Sequence, residues 1–198
     1  MSTNSRRLWL AFNAPAILTF ALLCLAAQLL NLLTKGRANL FVFSVYRSSL
    51  LDPMTYIRCL GHVFGHTDWE HLFGNLMYLM ILGPMLEEKY GTSNMVFVIL
   101  ATALVTGVIN MIFFPQIHLL GASGIVFAFI LLASITANEA RTIPLTFVLV
   151  AAMYMGQQIY QGILVRDDVS QLTHILGGGV GSALGFVMNR LKMNRYQR

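Results

Sequence analysis

The stretch "LLGASGIVFA", residues 119–128, places a serine between glycines at the start of a run that otherwise suits a lipid environment. A hydroxyl group in hydrocarbon costs free energy unless it finds a hydrogen-bond partner. Ser123, with Gly121 and Gly124 beside it, therefore raises two questions. The first is whether the chain spans a membrane, and the second is whether other polar residues lie at the same depth in that membrane as Ser123.

The composition predicts a membrane protein. The chain has 198 residues, of which 57% are apolar and only 11% are charged, and its mean hydropathy is +0.68. A soluble domain of this length would carry roughly a quarter charged residues. Each membrane-spanning helix needs roughly 20 apolar residues, which leaves room for about six helices. We therefore predict an all-α, six-helix membrane protein whose single domain covers residues 1–198.

Six apolar segments can be drawn along the chain, and they are numbered here in order. They lie near residues 13–33, 70–86, 95–114, 122–138, 144–164 and 171–190. Residues 34–69 form one long connection that mixes charged residues with apolar stretches such as "LFVFSVY", which is typical of a partly helical segment in the headgroup layer. After the second segment, Gly91 predicts a helix end, and Thr92, Ser93 or Asn94 predicts the cap of the next helix.

The charged residues fit a membrane protein better than a nucleic-acid-binding protein. The net charge is +5, but Lys and Arg flank the apolar segments. With the N-terminus inside, eight of them lie on the cytoplasmic side and five on the other side. This bias predicts a multi-pass protein of the cell membrane with both termini cytoplasmic. Cys24 and Cys59 show no metal-ligand spacing.

Polar residues recur at one depth in three of the segments. In the predicted orientation, the second, fourth and sixth segments all descend from the outer face. They carry His71 and Asn75, four residues apart on one helix face, then Ser123, and then His174. Each residue has a structural explanation when it is considered alone: a serine in a membrane helix can bond to its own backbone, and a histidine near a helix end can be an interfacial group. Together the four residues favour a functional site, because polar groups within spans usually face the bundle interior.

Small residues predict that the fourth and sixth segments pack closely. Glycines follow His174 at offsets of three, four, seven and eleven residues, and these are Gly177, Gly178, Gly181 and Gly185. Gly124 and Ala128 offer a matching small surface. A hydrogen bond between Ser123 and His174 at the top of this contact is plausible, and Phe127 is placed to stack on the imidazole. The glycines also have a purely structural reading, and both readings can hold.

At these residues, over about 57–190, the chain resembles the rhomboid intramembrane serine proteases. "HLFGN" matches the His-x-x-x-Asn of that family's second helix, "GASG" its Gly-x-Ser-Gly, and "THILGGGVG" its histidine followed by glycines. The resemblance implies that Ser123 is the nucleophile and His174 the general base. It also implies that His71 and Asn75 stabilise the oxyanion together with the Ser123 N–H, and that the residues supporting the site are Gly121, Gly124, Phe127, Gly177 and Gly181.

Some residues match the family less closely. In the loop that enters the second helix, Ile57 replaces the tryptophan of the family's Trp-Arg pair, which bears on the lipid anchoring of that loop, while Arg58 remains. Tyr46-Arg47 is an alternative site for that pair. His62 and His66 follow four residues apart, and a structural role is preferred over a metal site because no further ligands can be assigned. Thr106 and Asn110 resemble the family's water-retaining positions. Neither a metal nor an organic cofactor is required.

The predicted function is hydrolysis of peptide bonds in transmembrane protein substrates near the outer leaflet. The expected partners are the lipid bilayer and substrate helices weakened by Gly, Pro or small residues. The alternative is a catalytically inactive relative that binds or escorts membrane proteins. A small channel or transporter is a weaker rival, because the chain lacks the paired interrupted helices of repeat-built transporters.

Overall fold

The computed structural model describes residues 12–136 without a break and, beyond them, ten separate helical positions from residue 145 to residue 187. Within this part of the chain the structure is helical, and an isolated antiparallel bridge joins Val45 to Leu119. The α-helices of the continuously described part are α1 (Pro15–Leu33), α2 (Arg37–Phe41), α3 (Pro53–Gly61), α4 (Trp69–Tyr90), α5 (Thr92–Phe113) and α6 (Ser123–Thr136). A 3-10 turn, His62–Phe64, follows α3.

Four of these helices coincide with the first four apolar segments. They are α1, α4, α5 and α6, whereas the fifth and sixth segments lie outside the continuously described residues. Two helices in the described part, α1 and α5, are long and apolar enough to cross a membrane. The connection at residues 34–69 contains α2, α3 and the 3-10 turn. Its place in the headgroup layer and the count of six spans stay predictions.

The turn between α4 and α5 is tighter than the sequence suggested. Gly91 ends α4 as predicted, with φ +86°, but it also precedes the first residue of α5 directly. The predicted cap at Thr92, Ser93 or Asn94 is therefore wrong, because a one-residue reversal leaves no room for a separate capping residue. The Thr92 hydroxyl instead donates to the Glu87 carboxylate at 2.7 Å.

The helices pack around α4. This helix contacts α1, α5 and α6, and α3 lies against α5. Gly83 marks a close crossing with α1, since a Cβ there would lie 2.7 Å from Cγ2 of Ile17. Gly107 marks a second close crossing, where a Cβ would lie 2.7 Å from the Cys59 carbonyl oxygen. Side chains with a Cβ at these two positions would force the helices apart.

The buried carboxylate of Glu87 holds the N-terminus of α1. Its Oε1 accepts from Ala16 N–H at 2.9 Å, and its Oε2 accepts from Ile17 N–H at 3.0 Å. The first backbone N–H groups of a helix have no partner within the helix, and the positive end of the helix dipole favours an anion. Pro15 at the start of α1 fits the same end, because proline lacks the N–H that would need a partner.

Glu87→Ala is expected to destabilise the fold by about 3 kcal/mol, because it leaves two buried N–H groups without a charged acceptor. Thermal unfolding in a mild detergent measures the effect. Glu88→Ala is the matched control, since Glu88 is the neighbouring carboxylate and is exposed. An equal, small change in both variants would contradict the assigned role of Glu87.

Candidate active site

The backbone before α6 is shaped by Gly121. Its φ of +126° lies in the region that favours glycine, and its N–H donates to the His62 carbonyl at 2.9 Å. Two residues earlier, Leu119 exchanges backbone hydrogen bonds with Val45 at 2.8 and 3.0 Å. These contacts with the long connection fix the point at which α6 begins, and Ser123 is the first residue of that helix.

Gly121 also brings His71 and Ser123 to one space. A Cβ at Gly121 would lie 2.8 Å from Cε1 and 3.0 Å from Nε2 of His71, and 3.7 Å from Oγ of Ser123. The imidazole and the hydroxyl therefore flank the small volume that the missing side chain leaves open. The sequence predicted that His71 and Ser123 lie at the same depth in the membrane, and the structure brings their side chains to the same side of Gly121.

The first turn of α4 orients His71. Asp68 caps this helix by accepting the His71 backbone N–H at 2.8 Å. Thr67 Oγ1 donates to the Asp68 carboxylate at 2.7 Å and lies 3.2 Å from Nδ1 of His71. Because the threonine hydroxyl has a single proton and gives it to the carboxylate, it accepts from Nδ1–H. The neutral ring therefore carries its proton on Nδ1 and leaves Nε2 bare.

Asn75 lies one turn after His71 on the same face of α4. Its side chain is buried, and its Nδ2 makes no hydrogen bond within the part of the chain that the structure describes. A buried amide donor without a partner costs free energy, so such groups are uncommon unless a ligand or water completes them. Asn75 is thus a hydrogen-bond donor placed next to His71 along the helix.

Two buried histidines of the long connection support the backbone before Ser123. His66 Nδ1 lies 3.1 Å from the Phe64 carbonyl, which can only accept, so the Nδ1 nitrogen donates. Its Nε2 is then the acceptor for the Ala122 N–H at 3.5 Å. His62 follows the same logic, with Nδ1 donating to the Cys59 carbonyl at 3.1 Å. Both rings act here as neutral structural groups, in line with the role preferred from the sequence.

Burial keeps these two rings neutral. Desolvation lowers the pKa of His62 from 6.5 to about 4, against weaker opposing hydrogen bonds to backbone carbonyls. Desolvation also lowers the pKa of His66 to about 4, and the nearby His71 ring acts in the same direction. The His66 pattern requires an uncharged ring, because its Nε2 accepts the Ala122 N–H, so geometry and charge state agree for this residue.

The free energy of unfolding is therefore expected to fall as the pH is lowered from 6.5 towards 4. In this window the unfolded chain binds a proton on His62 while the folded chain does not, which favours unfolding by about 2 kcal/mol over two pH units. Thermal unfolding in detergent across this range measures the slope. His62→Gln, which cannot titrate, should show a smaller slope, and an unchanged slope would contradict the assignment.

A small cavity adjoins Ser123. It is lined by His62, Thr102, Thr106, Gly121 and Ser123 among others, and it offers about 10 Å³ to the centre of a water molecule. This is close to the least that one water needs. The Thr106 hydroxyl lies 2.8 Å from the Thr102 carbonyl and 3.2 Å from His62 Nε2. The walls therefore provide the polar partners that a bound water requires.

Other predicted site residues lie around this centre. Phe127 is buried one turn after Ser123, and a Cβ at Gly124 would lie 3.6 Å from Cγ2 of Thr106, so that glycine packs on α5. Asn110 Nδ2 donates to the Val45 and Ile117 carbonyls at 3.0 Å each, while its Oδ1 has no partner among the described residues. The water-retaining role predicted for Asn110 stays a prediction.

Comparison with known protein families matches the rhomboid domain to residues 53–191, which is most of the chain and includes every element just described except α1, α2 and the strand-like residue Val45. The chain belongs to the rhomboid family. Rhomboids are integral membrane proteins, which agrees with the two membrane-capable helices. The match begins at the first residue of α3, so the helix leading to His62 and His66 is part of the family domain.

Three curated relatives show how far the similarity extends. Rhomboid-related protein 2 of Mus musculus is 29% identical over 159 residues, which cover 70% of this chain and 53% of the relative. Rhomboid-type serine protease 2 of Eremothecium gossypii is 27% identical over 177 residues, covering 77% and 63%. Rhomboid protease GlpG of Yersinia pestis is 28% identical over 175 residues, covering 87% and 62%. The matched region thus spans between half and two thirds of the length of these relatives.

Part of the rhomboid site predicted from the sequence lies outside the described residues. This applies to His174, Gly177 and Gly181, and to the packing of the sixth segment on α6. Sequence reasoning also missed Thr67, Asp68 and Thr102. Asp68 had a readable signal, since an aspartate directly before an apolar helical run is a typical N-cap. Thr102 had none, because only the packing of α5 against α6 brings it to the cavity.

Proposed function

We propose that this rhomboid is an intramembrane serine protease that hydrolyses peptide bonds of transmembrane proteins near the outer leaflet. Ser123 Oγ attacks the scissile carbonyl carbon, and its proton passes to the imidazole of His174. The C–N bond then breaks, and the imidazolium protonates the leaving amine. A water molecule, activated by His174, hydrolyses the acyl-enzyme and restores the hydroxyl of Ser123. The observation that carries the proposal is the shared space of Ser123 and His71 beside Gly121.

The oxyanion that forms on the substrate needs fixed donors. We assign this role to the Ser123 N–H, Asn75 Nδ2 and His71 Nε2. The buried amide of Asn75, which has no partner among the described residues, supports the assignment because its donor is already desolvated. One such donor is worth about 3 kcal/mol of barrier in other hydrolases, since it acts in a low-dielectric site without reorganising. In the same scheme, the cavity lined by Thr106 holds the water for the second step.

The proton position on His71 has a consequence for this scheme. Because Thr67 accepts Nδ1–H, the neutral ring presents a bare Nε2, which repels an oxyanion. To donate from Nε2, the neutral ring must take its other tautomer, in which the Thr67 hydroxyl donates to Nδ1 of His71 instead of to Asp68.

Thr67→Val is expected to lower kcat at neutral pH by about tenfold. Without the Thr67 hydroxyl, the Nδ1 atom of His71 loses its hydrogen-bond partner, so the imidazole is held less well in position for the oxyanion.

Steady-state cleavage rates in liposomes measure this loss. Thr34→Val is the control, because the partners of the Thr34 hydroxyl among the described residues are backbone groups at the end of α1 and in α2. A Thr67→Val enzyme with the wild-type kcat would show that the threonine does not position the His71 ring.

The topology belongs to the same proposal. Both termini are cytoplasmic, the site lies below the outer headgroups of the cell membrane, and substrates carry helix-weakening Gly, Pro or small residues there. An intact helix protects its own peptide bonds, so a substrate must unwind before its carbonyl reaches Ser123. The fifth segment, near 144–164, is the proposed lateral gate, and it lies outside the continuously described residues.

A fluorophosphonate probe tests the proposed function directly. The folded wild type should be labelled, and Ser123→Ala and His174→Ala should not. Absence of labelling in folded wild-type protein would favour the alternative of an inactive rhomboid that binds or escorts membrane proteins. Cleavage of a single-span substrate in liposomes then shows whether the reactive serine performs proteolysis.

A further inference from the structure

A second cavity lies away from Ser123, between α3 and the C-terminal half of α5. Its volume is about 590 Å³, which falls in the usual range for a small-molecule site. The walls come from Tyr56 and Leu60 of α3 and from Leu104, Val108 and Ile112 of α5. The three α5 residues follow at intervals of four, so they form one continuous stripe on that helix.

The cavity opens on the outside of the helix bundle. Leu104 is 50% exposed and Ile112 is 54% exposed, while Tyr56 of the opposite wall is 59% exposed. Apolar side chains exposed on a membrane-spanning helix meet lipid tails. From Leu104 to Ile112 the stripe rises about 12 Å along α5. The cavity therefore offers an apolar channel that runs down from the end of the span.

Arg47 lies at the mouth of this cavity, at the end of α5. Its Nε donates to the Met111 carbonyl at 2.8 Å, and its Nη2 donates to the Ile112 carbonyl. The guanidinium has five N–H donors, so several stay available. The side chain is exposed and forms no ion pair within the described residues, whereas its neighbour Arg58 pairs with Asp52 at 3.0 Å. An unmatched cation thus stands where a membrane-spanning helix ends.

We propose that this cavity binds an anionic phospholipid, with its phosphate on Arg47 and one acyl chain along the α5 stripe. The fork of a guanidinium matches the oxygens of a phosphate, and the net negative headgroup complements a cation that no carboxylate among the described residues neutralises. The apolar channel runs from Arg47 along α5 into the span, as the acyl chain of a lipid does from its phosphate. The occupant also contacts α3, whose Cys59 lines the cavity and holds His62 through its carbonyl. The lipid thereby supports the segment that shapes the backbone before Ser123.

Photo-crosslinking tests the site. The protein is reconstituted in phosphatidylcholine vesicles that contain a trace of phosphatidylglycerol or phosphatidylcholine with a diazirine in the acyl chain. Peptide mapping by mass spectrometry should place the crosslinks on residues 56–60 and 104–112. The phosphatidylglycerol probe should label these peptides about fivefold more than the phosphatidylcholine probe, as expected for one basic residue at a membrane surface.

Variants separate the two parts of the site. Arg47→Gln should remove the preference for phosphatidylglycerol, whereas Arg37→Gln, which changes another exposed cation of the same connection, should keep it. Val108→Trp fills the channel and leaves Arg47 in place, so it should lower labelling by both probes several-fold. Thermal unfolding of each variant shows that the fold is retained.

Equal labelling by the two wild-type probes, or labelling that Val108→Trp does not reduce, would overturn the proposal. Absence of any crosslink on these peptides in folded protein would also overturn it, and would leave a protein segment as the occupant. The experiment is run in the Ser123→Ala background as well. Lipid binding there does not depend on catalysis, so its outcome is separate from that of the protease proposal.

Discussion

Replacing Ser123 with alanine is expected to abolish cleavage of a single-span substrate in liposomes, with a loss in kcat of at least about 10⁴-fold. In serine hydrolases whose catalytic groups act as a unit, loss of the nucleophile removes nearly all of the catalysis that the dyad provides. The residue is well placed for this role, since it begins α6 beside the space shared with His71. Substrate cleavage on a gel, at matched protein density in the membrane, measures the effect.

The matched control is Ser134→Ala on the same helix. Ser134 Oγ donates to the Ile130 carbonyl at 2.8 Å, the ordinary back-bond of a serine in a membrane helix. Its removal should leave kcat within about twofold of the wild type, because it touches no group of the site. Residual cleavage by Ser123→Ala at a rate near that of Ser134→Ala would refute the assignment of the nucleophile.

Gly121→Ala is expected to lower kcat by about 100-fold or more while the protein stays folded. Two costs add at this position. A residue with a Cβ is strained at φ +126°, which costs about 1–3 kcal/mol. The new methyl would also lie within 3.0 Å of the His71 ring, so the ring or the backbone before Ser123 must shift. A displacement of about 1 Å at a catalytic group is enough for a loss of this size.

Gly74→Ala provides the comparison, because Gly74 lies between His71 and Asn75 on α4, but a Cβ added there would have no other atom within 4 Å. Alanine there should stabilise the helix by up to about 1 kcal/mol and leave kcat unchanged. Cleavage rates and thermal unfolding of both variants separate a local effect on the site from a general loss of folding. If Gly121→Ala cleaved substrate as fast as Gly74→Ala, the shared space would have no catalytic meaning.

Much of the helical organisation was predictable because it depends on local properties of the chain. Apolar runs long enough to span a membrane located α1, α4, α5 and α6, and Gly91 located the turn between two of them. The prediction that His71, Asn75 and Ser123 share a depth followed from helix direction and rise per residue. Errors arose where two elements touch, as at Thr92, whose hydroxyl bonds Glu87 and not its own helix end.

The contacts that build the site were not readable in this way. Glu87 lies far along the chain from the N-terminus of α1 that it caps, and Thr102 reaches the cavity only through the packing of α5 on α6. The proton position on His71 depends on Thr67 and Asp68 together, because the single hydroxyl proton of Thr67 can be donated either to the Asp68 carboxylate or to Nδ1 of His71. Which hydrogen bond forms depends on differences in distance of a few tenths of an ångström, and the periodicity of a sequence does not contain that information.

By itself, then, the sequence determined that this chain forms apolar helices, and it predicted one depth for the polar residues of several of them, since hydrophobic patterning and helix geometry act locally. Only the tertiary structure decided which donors lack a partner among the described residues, which histidines are kept neutral by burial, and where Arg47 lies at the end of an apolar channel. The physical reason is that hydrogen bonds and charges depend on neighbours brought together by packing, often from distant parts of the chain.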